Sequence, residues 1–224
     1  QKLPYIVNSV RSGMFWELGP YLKDYPNLSR MNPIALNAVS IDGKTYGIYR
    51  ERDLAKDGIM LRKDWLDSLG LKEPKTIDEF YNVLKAFTTD DPDKNGKNDT
   101  IGLAEQQVFA GWRSMLAWHG GPVDWEVKDG KLSPAHLHPA YMETLKFYRK
   151  LYQEKLINQD FGAVKDGRQV INKGSAGAWI ANMNDGQGIE ENVKKINPNA
   201  KITLINALEG PAGLRSVGGS GSYG

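Results

Sequence analysis

The stretch GIMLRKDWLDSLGLKEPKTIDEFYNVLKAFTTDDPDKNGKNDTIGL, residues 58–103, predicts a strand, two helices and an acidic loop, in that order. Its opening apolar run is typical of a buried strand, and Gly70 marks the end of a short first helix. Thr76 suits the N-cap of the second helix, and Glu79 three residues later completes a capping box. One apolar stripe follows that helix, formed by Ile77, Phe80, Tyr81, Leu84 and Phe87.

Strands and helices alternate in the rest of the chain as well. Residues 3–9 predict a short buried strand, and residues 39–52 predict two extended segments around an Asp42-Gly43 turn, a strong hairpin signal. Residues 139–155 begin with a proline, which favours the first turn of a helix. A short helix and a strand are predicted further on, at 188–195 and 201–208. This alternation predicts the α/β class.

The acidic loop has the spacing of a calcium-binding loop. Oxygen-bearing residues stand at positions 1, 3, 5 and 9 of such a loop, with a glycine at position 6 for the sharp turn. Gly102 stands where a bidentate glutamate closes the usual loop, so we expect an affinity near ~10⁻⁴–10⁻³ M, as in extracellular modules. A solvated turn is the alternative. The predicted calcium ligands are Asp91, Asp93, Asn95, Lys97 through its carbonyl, and Asp99.

The composition is that of an ordinary globular protein. The chain has 224 residues, 40% of them hydrophobic and 25% charged, which is enough to bury a core. Its 29 Lys and Arg against 27 Asp and Glu leave a net charge of +2, too small to imply nucleic acid or an anionic membrane as partner. Cysteine is absent, which excludes disulfides and thiol catalysis within this stretch.

No catalytic constellation is visible, so we predict a protein without catalytic residues. His136 and His138 stand two apart and suit helix capping or solvent better than a metal pair. His119 has no serine, cysteine or aspartate arrangement around it. A pair of carboxylates distant in sequence, as in glycosidases, remains open. A secreted carbohydrate-active enzyme, or its calcium-binding accessory module, is therefore the alternative function.

The tryptophans point to a carbohydrate ligand. Most of them lie in glycine-bordered, loop-like contexts, where flat rings can stack on sugars while nearby polar groups bind hydroxyls. Core packing is the alternative for each ring, and it is the interpretation we prefer for Trp65. Trp112 and Trp118 are six residues apart, so at most one of them should face a ligand. The candidate ligand residues from this pattern are Trp112, Trp118, Trp179, Asn184 and Asp185.

The order of these motifs resembles that of family 1 extracellular solute-binding proteins of bacterial ABC importers. Residues 42–103 carry the Asp-Gly-Lys-x-Tyr-Gly turn, the Arg-Lys-Asp-Trp-Leu helix start, the capped helix and the Asp-rich loop in the order of that family. The segments GPVDWEVKDGK and GSAGAWIANMNDG also fit it. The chain is most similar to the sugar-binding lipoproteins that include the alginate-binding proteins, and the resemblance covers nearly its whole length.

The resemblance implies a periplasmic-binding-protein-like, two-lobed α/β fold that closes on its ligand by a hinge. Residues 1–50 would then form the end of the first lobe and the inter-lobe crossing. Residues 51–215 would form the second lobe with the calcium loop, and residues 216–224 the return crossing. Tyr49 and Arg50 join the ligand candidates, because crossing strands line the cleft in that fold.

The same resemblance implies a non-enzymatic, monomeric protein. It would capture an oligosaccharide, hand it to the membrane permease of an ABC importer, and carry a structural Ca²⁺. Its expected location is extracellular, as a cell-surface lipoprotein, or periplasmic. The family often has an acidic residue after the last loop aspartate, whereas this chain has Thr100. Because family members are longer, we expect an internal portion that alone binds sugar weakly or not at all but still binds calcium.

Overall fold

The computed structural model describes residues 4–49 and 56–216. The chain divides into two compact units: residues 4–49 belong to the first unit and residues 56–216 to the second. The division falls a few residues after the lobe boundary predicted at residue 50. The assignment of each unit to a lobe stays a prediction, and most of the predicted return crossing lies outside the described residues.

The first described element of the first unit is a helix, so the strand predicted at 3–9 is wrong. Helix α1 spans Pro4–Arg11, and its Pro4 suits a first helical position. The apolar Ile6 and the buried Val10 lie four residues apart, which is the spacing of one helical face. Such a short apolar run fits either period, and here the proline and this spacing favour the helix.

The predicted hairpin is present in the first unit but is shorter than expected. After helix α2 (Pro33–Val39), strands β1 (Ser40–Ile41) and β2 (Lys44–Thr45) pair antiparallel. The turn residues Asp42 and Gly43 have φ angles of 51° and 77°, the left-handed conformation that such two-residue turns require.

The second unit is built around a four-stranded sheet. Its strands, in their order across the sheet, are β4 (Ile101–Leu103), β7 (Ala176–Asn182), β3 (Asp57–Arg62) and β8 (Ile202–Ile205). Strand β3 lies inside the sheet and pairs antiparallel with both β7 and β8, whereas β4 pairs parallel with β7. Each connection between these strands contains at least one helix, which confirms the predicted α/β class.

Both faces of the inner strands β3 and β7 are buried. On β3, Ile59 and Leu61 pack into one core cluster and Met60 into another, as the alternation of side chains along a strand requires. On the neighbouring β7, Ile180 joins the first cluster and Trp179 the second. Strands buried on both sides carry near-continuous apolar runs, which is why GIML could be recognised from sequence.

The helices predicted around the opening stretch are confirmed. Helix α3 (Lys63–Leu69) ends at Gly70, whose φ of 67° provides the left-handed C-cap. Helix α4 (Ile77–Thr89) is capped by Thr76, whose Oγ1 accepts the Glu79 N–H at 3.1 Å. The Glu79 carboxylate bonds the Lys75 N–H at 2.7 Å, one residue before the partner that a capping box requires.

The remaining helices cover the sheet and its connections. The helix predicted at 139–155 is confirmed as α6, and the Nδ1 atom of His138 caps it by accepting the Ala140 N–H at 3.2 Å. No helix within residues 4–49 and 56–216 combines the length and apolarity needed to cross a membrane. The other elements are α5 (Trp112–Trp118), the hairpin β5 (Trp125–Lys128) and β6 (Lys131–Pro134), α6 (Pro139–Gln153), α7 (Arg168–Asn172) and α8 (Gly186–Lys194).

Candidate functional site

Three strands of the second unit end on one side of its sheet. Strands β7 and β8 are antiparallel to β3, and β4 is parallel to β7. The strands β4, β7 and β8 therefore all end on the side of the sheet where β3 begins. Ligands of open α/β sheets bind at the carboxyl ends of the strands. We call this side the carboxyl edge. It consists of residues 104–113 after β4, residues 182–185 at the end of β7, and residues 56–57 at the start of β3.

Aromatic rings form the apolar part of the carboxyl edge. The segment after β4 lines a depression of about 570 Å³, whose walls include Phe109, Trp112 and Tyr141. Phe109 stacks on the buried Tyr148, with ring centroids 4.3 Å apart and an interplanar angle of 23°. Trp112 meets Tyr141 edge-on at 4.9 Å. Rings fixed against one another in this way offer flat apolar surface without losing side-chain freedom when a ligand binds.

Polar side chains border the same depression. Gln107 is exposed, and Gln106 is held by its Oε1 atom, which accepts the Gly167 N–H at 2.8 Å. The Nη2 atom of Arg113 bonds both carboxylate oxygens of Asp124, at 3.1 and 3.0 Å, and half of the Arg113 side chain remains exposed. Amide and guanidinium groups beside flat rings are the combination that binds sugar hydroxyls and ring faces together.

The start of β3 adds an acidic group to this edge. Burial raises the pKa of the Asp57 carboxyl, and the positive charges of Lys56 and Arg113 oppose that rise. Lys56 precedes Asp57 in the chain, whereas Arg113 belongs to the segment after β4. Opposite charges thus stand near one another at the carboxyl edge.

The end of β7 supplies a second polar group. Asn182 caps the turn that follows it by accepting the Asn184 N–H at 3.1 Å. Asp185 forms an ion pair with Arg168 at 3.3 Å, and the Arg168 guanidinium lies 5.6 Å from the centre of the Trp179 ring system. Asn184 is exposed, and Asp185 is partly buried.

Three of the predicted ligand residues belong to the segments that form the carboxyl edge. Trp112 lies at the start of α5, and Asn184 and Asp185 directly follow β7. The loop-like context predicted for the tryptophans is wrong in detail, because Trp118 lies on α5 and Trp179 on β7. Their side chains are only 1% and 3% exposed, so neither ring offers a face to solvent. A ligand contact for any of the five stays a prediction.

The remaining ligand candidates lie elsewhere. Tyr49 belongs to the first unit, where it is buried and its hydroxyl accepts the Asn32 N–H at 2.8 Å. Arg50 lies outside the described residues. Trp118 also has a structural partner, because its Nε1 donates to the Ser216 carbonyl at 2.8 Å. That bond explains why the Trp118 ring can be buried with its polar atom satisfied.

Sequence reasoning missed several groups of the carboxyl edge. The three-residue strand β4 is too short to show the alternation of a strand. The polar and aromatic residues after it therefore could not be recognised as following the end of a strand. The usable signal was the run AEQQVFAGWR, in which amides, aromatics and an arginine follow an apolar triplet. The missed residues are Gln106, Gln107, Phe109, Arg113, Tyr141 and Arg168.

The acidic loop lies at the other end of β4, away from the carboxyl edge. The Asp91 carboxylate accepts the backbone N–H groups of Asn95 at 3.1 Å and Gly96 at 3.0 Å. The Nδ2 atom of Asn95 donates to Asp93 at 3.0 Å and to Asp99 at 3.2 Å. Positive φ angles at Asp91 and Gly96, 47° and 74°, fold the loop tightly enough for these contacts.

The carboxylates of this loop perturb one another. The Gly96 N–H, the largest cause, lowers the pKa of Asp91. Burial raises the pKa of Asp93, and the neighbouring Asp91 and Asp99 raise it further. Within the described residues, no three His, Cys, Asp or Glu side chains converge as a set of metal ligands. The NH₂ group of Asn95 donates to Asp93 and Asp99 and so partly offsets their negative charge. The side-chain oxygens of this loop are of the type that a hard cation prefers. The calcium site stays a prediction.

Comparison with known proteins identifies relatives along nearly the whole chain. The chain is 43% identical over 222 residues to the polygalacturonan/rhamnogalacturonan-binding protein YtcQ of Bacillus subtilis (strain 168), covering 97% of this chain and 44% of YtcQ. It is 40% identical over 227 residues to the lipoprotein LipO of the same organism, covering 97% of this chain and 45% of LipO. It therefore spans less than half the length of these relatives.

A solved structure supports the same assignment. The substrate-binding protein FusA of the Streptococcus pneumoniae ABC transporter, in complex with kestose, superimposes with a TM-score of 0.69 at 26% identity, covering 95% of this chain and 46% of FusA. The fold is thus that of solute-binding proteins, as predicted. A model of the family of bacterial extracellular solute-binding proteins matches residues 4–224. The chain belongs to this family of binding proteins, which are not enzymes.

Proposed function

We propose that the carboxyl edge of the second unit binds an oligosaccharide, which the whole protein delivers to the membrane permease of an ABC importer. The observation that carries this proposal is the depression after β4, where Phe109, Trp112 and Tyr141 stand beside Gln107 and Arg113. Flat rings and hydrogen-bonding side chains are both needed to bind a sugar, which has apolar ring faces and polar edges. The protein would act at the cell surface as a lipoprotein, or in the periplasm.

The relatives support a carbohydrate and leave its type for experiment. YtcQ is named for polygalacturonan and rhamnogalacturonan, which are acidic, whereas FusA was solved with the neutral sugar kestose. Arg113 contacts Asp124 through Nη2, and its half-exposed guanidinium has further N–H groups that would favour an acidic sugar, because arginine bonds carboxylates strongly. We therefore expect oligogalacturonides to bind more tightly than fructo-oligosaccharides.

Calorimetric titration with both classes of oligosaccharide tests this proposal. Trp112→Ala should weaken binding at least about tenfold, because a stacked ring contributes on the order of 1.4 kcal/mol or more. The matched control is Ile196→Ala, which truncates an exposed apolar side chain beyond the far end of α8. Equal oligosaccharide affinity in Trp112→Ala and in the parent would show that the ligand does not bind in this depression.

The same mixtures test the enzyme alternative. A binding protein returns its ligand unchanged, so chromatography after long incubation should show no shortened oligosaccharide. A product that accumulates with time would favour a carbohydrate-active enzyme. The described histidines give no support for one: His119 bonds the Met115 carbonyl oxygen at 2.9 Å, and His138 caps α6.

We also propose that the acidic loop binds one structural Ca²⁺. Asp91, Asp93, Asn95 and Asp99 already contact one another, and a hard cation prefers oxygen ligands of these kinds. The carbonyl of Lys97 would complete the predicted set. Calorimetry with Ca²⁺ alone tests the proposal, and absence of heat at millimolar Ca²⁺ would reject it. The role would be structural, because the loop lies away from the carboxyl edge.

A further inference from the structure

Glu105 is a buried carboxylic acid directly behind the proposed sugar site. It is the second residue after β4 and only 1% exposed. Its Oε2 atom accepts the backbone N–H groups of Gln106 at 3.3 Å and Ala110 at 3.2 Å. Its own N–H donates to Oδ1 of Asn158 at 2.7 Å. One side chain thereby joins the two ends of the segment 106–110, which lines the depression.

Among the described residues, the groups that shift the pKa of this carboxyl include no cation. Burial raises the pKa of Glu105 to about 8, and the groups that oppose the rise are the Ala110 and Gln106 N–H groups and the Tyr148 hydroxyl. Tyr148, on α6, is the titratable side chain named beside it; burial raises the pKa of Tyr148, and Glu105 raises it further. The two side chains interact without full hydrogen-bond geometry, since neither Oε1 of Glu105 nor the Tyr148 hydroxyl has a partner among the described residues.

We propose that Glu105 is a positioning residue that holds the segment 106–110 in its ligand-binding shape, and that loss of its proton loosens this segment. The segment carries Phe109 and leads directly into Trp112, so its shape sets the spacing of the rings in the depression. A neutral carboxylic acid is buried at small cost, whereas a carboxylate needs water or a cation. Glu105 is only 1% exposed and bonds both ends of the segment 106–110, so we expect hydration of the anion to displace that segment.

The positioning role can be tested without any sugar. Amide hydrogen exchange of the whole chain, followed by NMR at pH 6.5, should show protection at Gln106 and Ala110. Glu105→Ala removes the acceptor and should lower protection at both amides about tenfold, as expected for loss of one hydrogen bond. Glu105→Gln keeps an acceptor of the same shape and should retain the protection.

A matched core variant separates positioning from general instability. Leu151→Ala removes a buried side chain of α6 in the same core cluster and should destabilise the unit globally. It should not lower protection at Gln106 and Ala110 relative to the amides of β7. Unchanged protection in Glu105→Ala, or the same local loss in Leu151→Ala, would overturn the positioning role.

The proton-linked part rests on the proposed function. Oligosaccharide affinity of the unmodified chain should fall as pH rises through about 8, the pKa of Glu105, because the carboxylate favours the loosened segment. Glu105→Gln cannot ionise and should give a flat profile over the same range. A parallel ¹³C NMR titration of the Glu105 carboxyl should share the midpoint of the affinity curve.

The outcomes separate the two proposals. A flat affinity profile in the unmodified chain, or a carboxyl midpoint in the ordinary glutamate range, overturns the proton-linked part. If no oligosaccharide binds at any pH even to the full-length protein, the proposed function fails. The exchange data and the carboxyl titration then still decide whether Glu105 positions the segment and where it loses its proton.

Discussion

At the scale of single residues, the acidic loop concentrates more negative charge than its own donors neutralise. The Asp93 carboxyl has Asp91 and Asp99 beside it, and the Asn95 amide donates to Asp93 and Asp99. If free Ca²⁺ exceeds its dissociation constant tenfold, binding adds about 1.4 kcal/mol to the free energy of unfolding. We expect a higher melting temperature in millimolar Ca²⁺ than in chelator.

Substitution of one loop carboxylate should remove most of that increase. Asp93→Asn takes away a charged ligand, so the calcium-induced rise in melting temperature should shrink markedly. Asp90→Asn is the matched control, because Asp90 is an exposed carboxylate next to the loop but outside the ligand pattern. Loss of the calcium response in both variants alike would indicate attraction by net charge alone.

Protons should compete with calcium in this loop. Because the pKa of Asp93 is raised, this carboxyl takes up a proton at a higher pH than an ordinary aspartate. Ca²⁺ affinity should therefore decline as pH falls through that raised pKa, measured by calorimetry from pH 7 downward. A constant affinity down to the ordinary aspartate range would mean that Asp93 is not a ligand.

Glu105 predicts a pH dependence of stability with a definite sign. Its pKa is about 8 in the folded chain and about 4.3 in an unfolded one, so the folded state holds more protons between these values. The free energy of unfolding of the parent should therefore fall as pH rises through this window. Glu105→Gln lacks this loss, so its stability relative to the parent should increase with pH, as measured by urea unfolding. A constant difference between the two proteins would contradict the raised pKa.

At the scale of secondary structure, β7 approaches α4 closely because residue 177 is a glycine. A Cβ atom at Gly177 would lie 2.1 Å from the Phe87 ring. Gly177→Ala should destabilise the chain by about 1–3 kcal/mol, the usual cost of overpacking. The control is Gly188→Ala, where a Cβ meets nothing within 4 Å inside α8 and should stabilise by about 0.5–1 kcal/mol. Urea unfolding of both variants checks the opposite signs.

Elements with local signals could be predicted from the sequence. Thr76 and Gly70 mark helix ends by their own side-chain or backbone chemistry, and both predictions are confirmed. The helix at Pro4–Arg11 was misread because a short apolar run fits two periods. Strand β4 shows no period in three residues, since parallel pairing with β7 defines it rather than its own sequence.

At the scale of the whole second unit, the candidate site depends on contacts that no local pattern reveals. The carboxyl edge joins residues near 105 with residues near 183, and only the strand order brings them to one side of the sheet. The glycine residues around Trp179 favour a loop in which its ring could contact a ligand. The same pattern also fits a strand that is buried on both faces, which is what the structure has. Sequence therefore found parts of the edge, such as Trp112 and Asp185, without assembling it.

The separation of the two proposed sites predicts that they act independently. The acidic loop precedes β4 and the sugar depression follows it, so no described side chain contacts both. Oligosaccharide affinity should be the same within about twofold in chelator and in millimolar Ca²⁺, well below the melting temperature. By linkage, any larger change would have to appear equally in the Ca²⁺ affinity, which a reciprocal titration would detect.

The inner position of β3 has a consequence for how the chain is made. Its two neighbours, β7 and β8, are translated more than a hundred residues later. At a translation rate of about 5–20 residues per second, both edges of this apolar strand remain unpaired for on the order of ten seconds. Closure of the sheet over such long sequence separations is also slow. The nascent chain should therefore need a holding chaperone most while residues 57–62 have emerged and residues 202–205 have not.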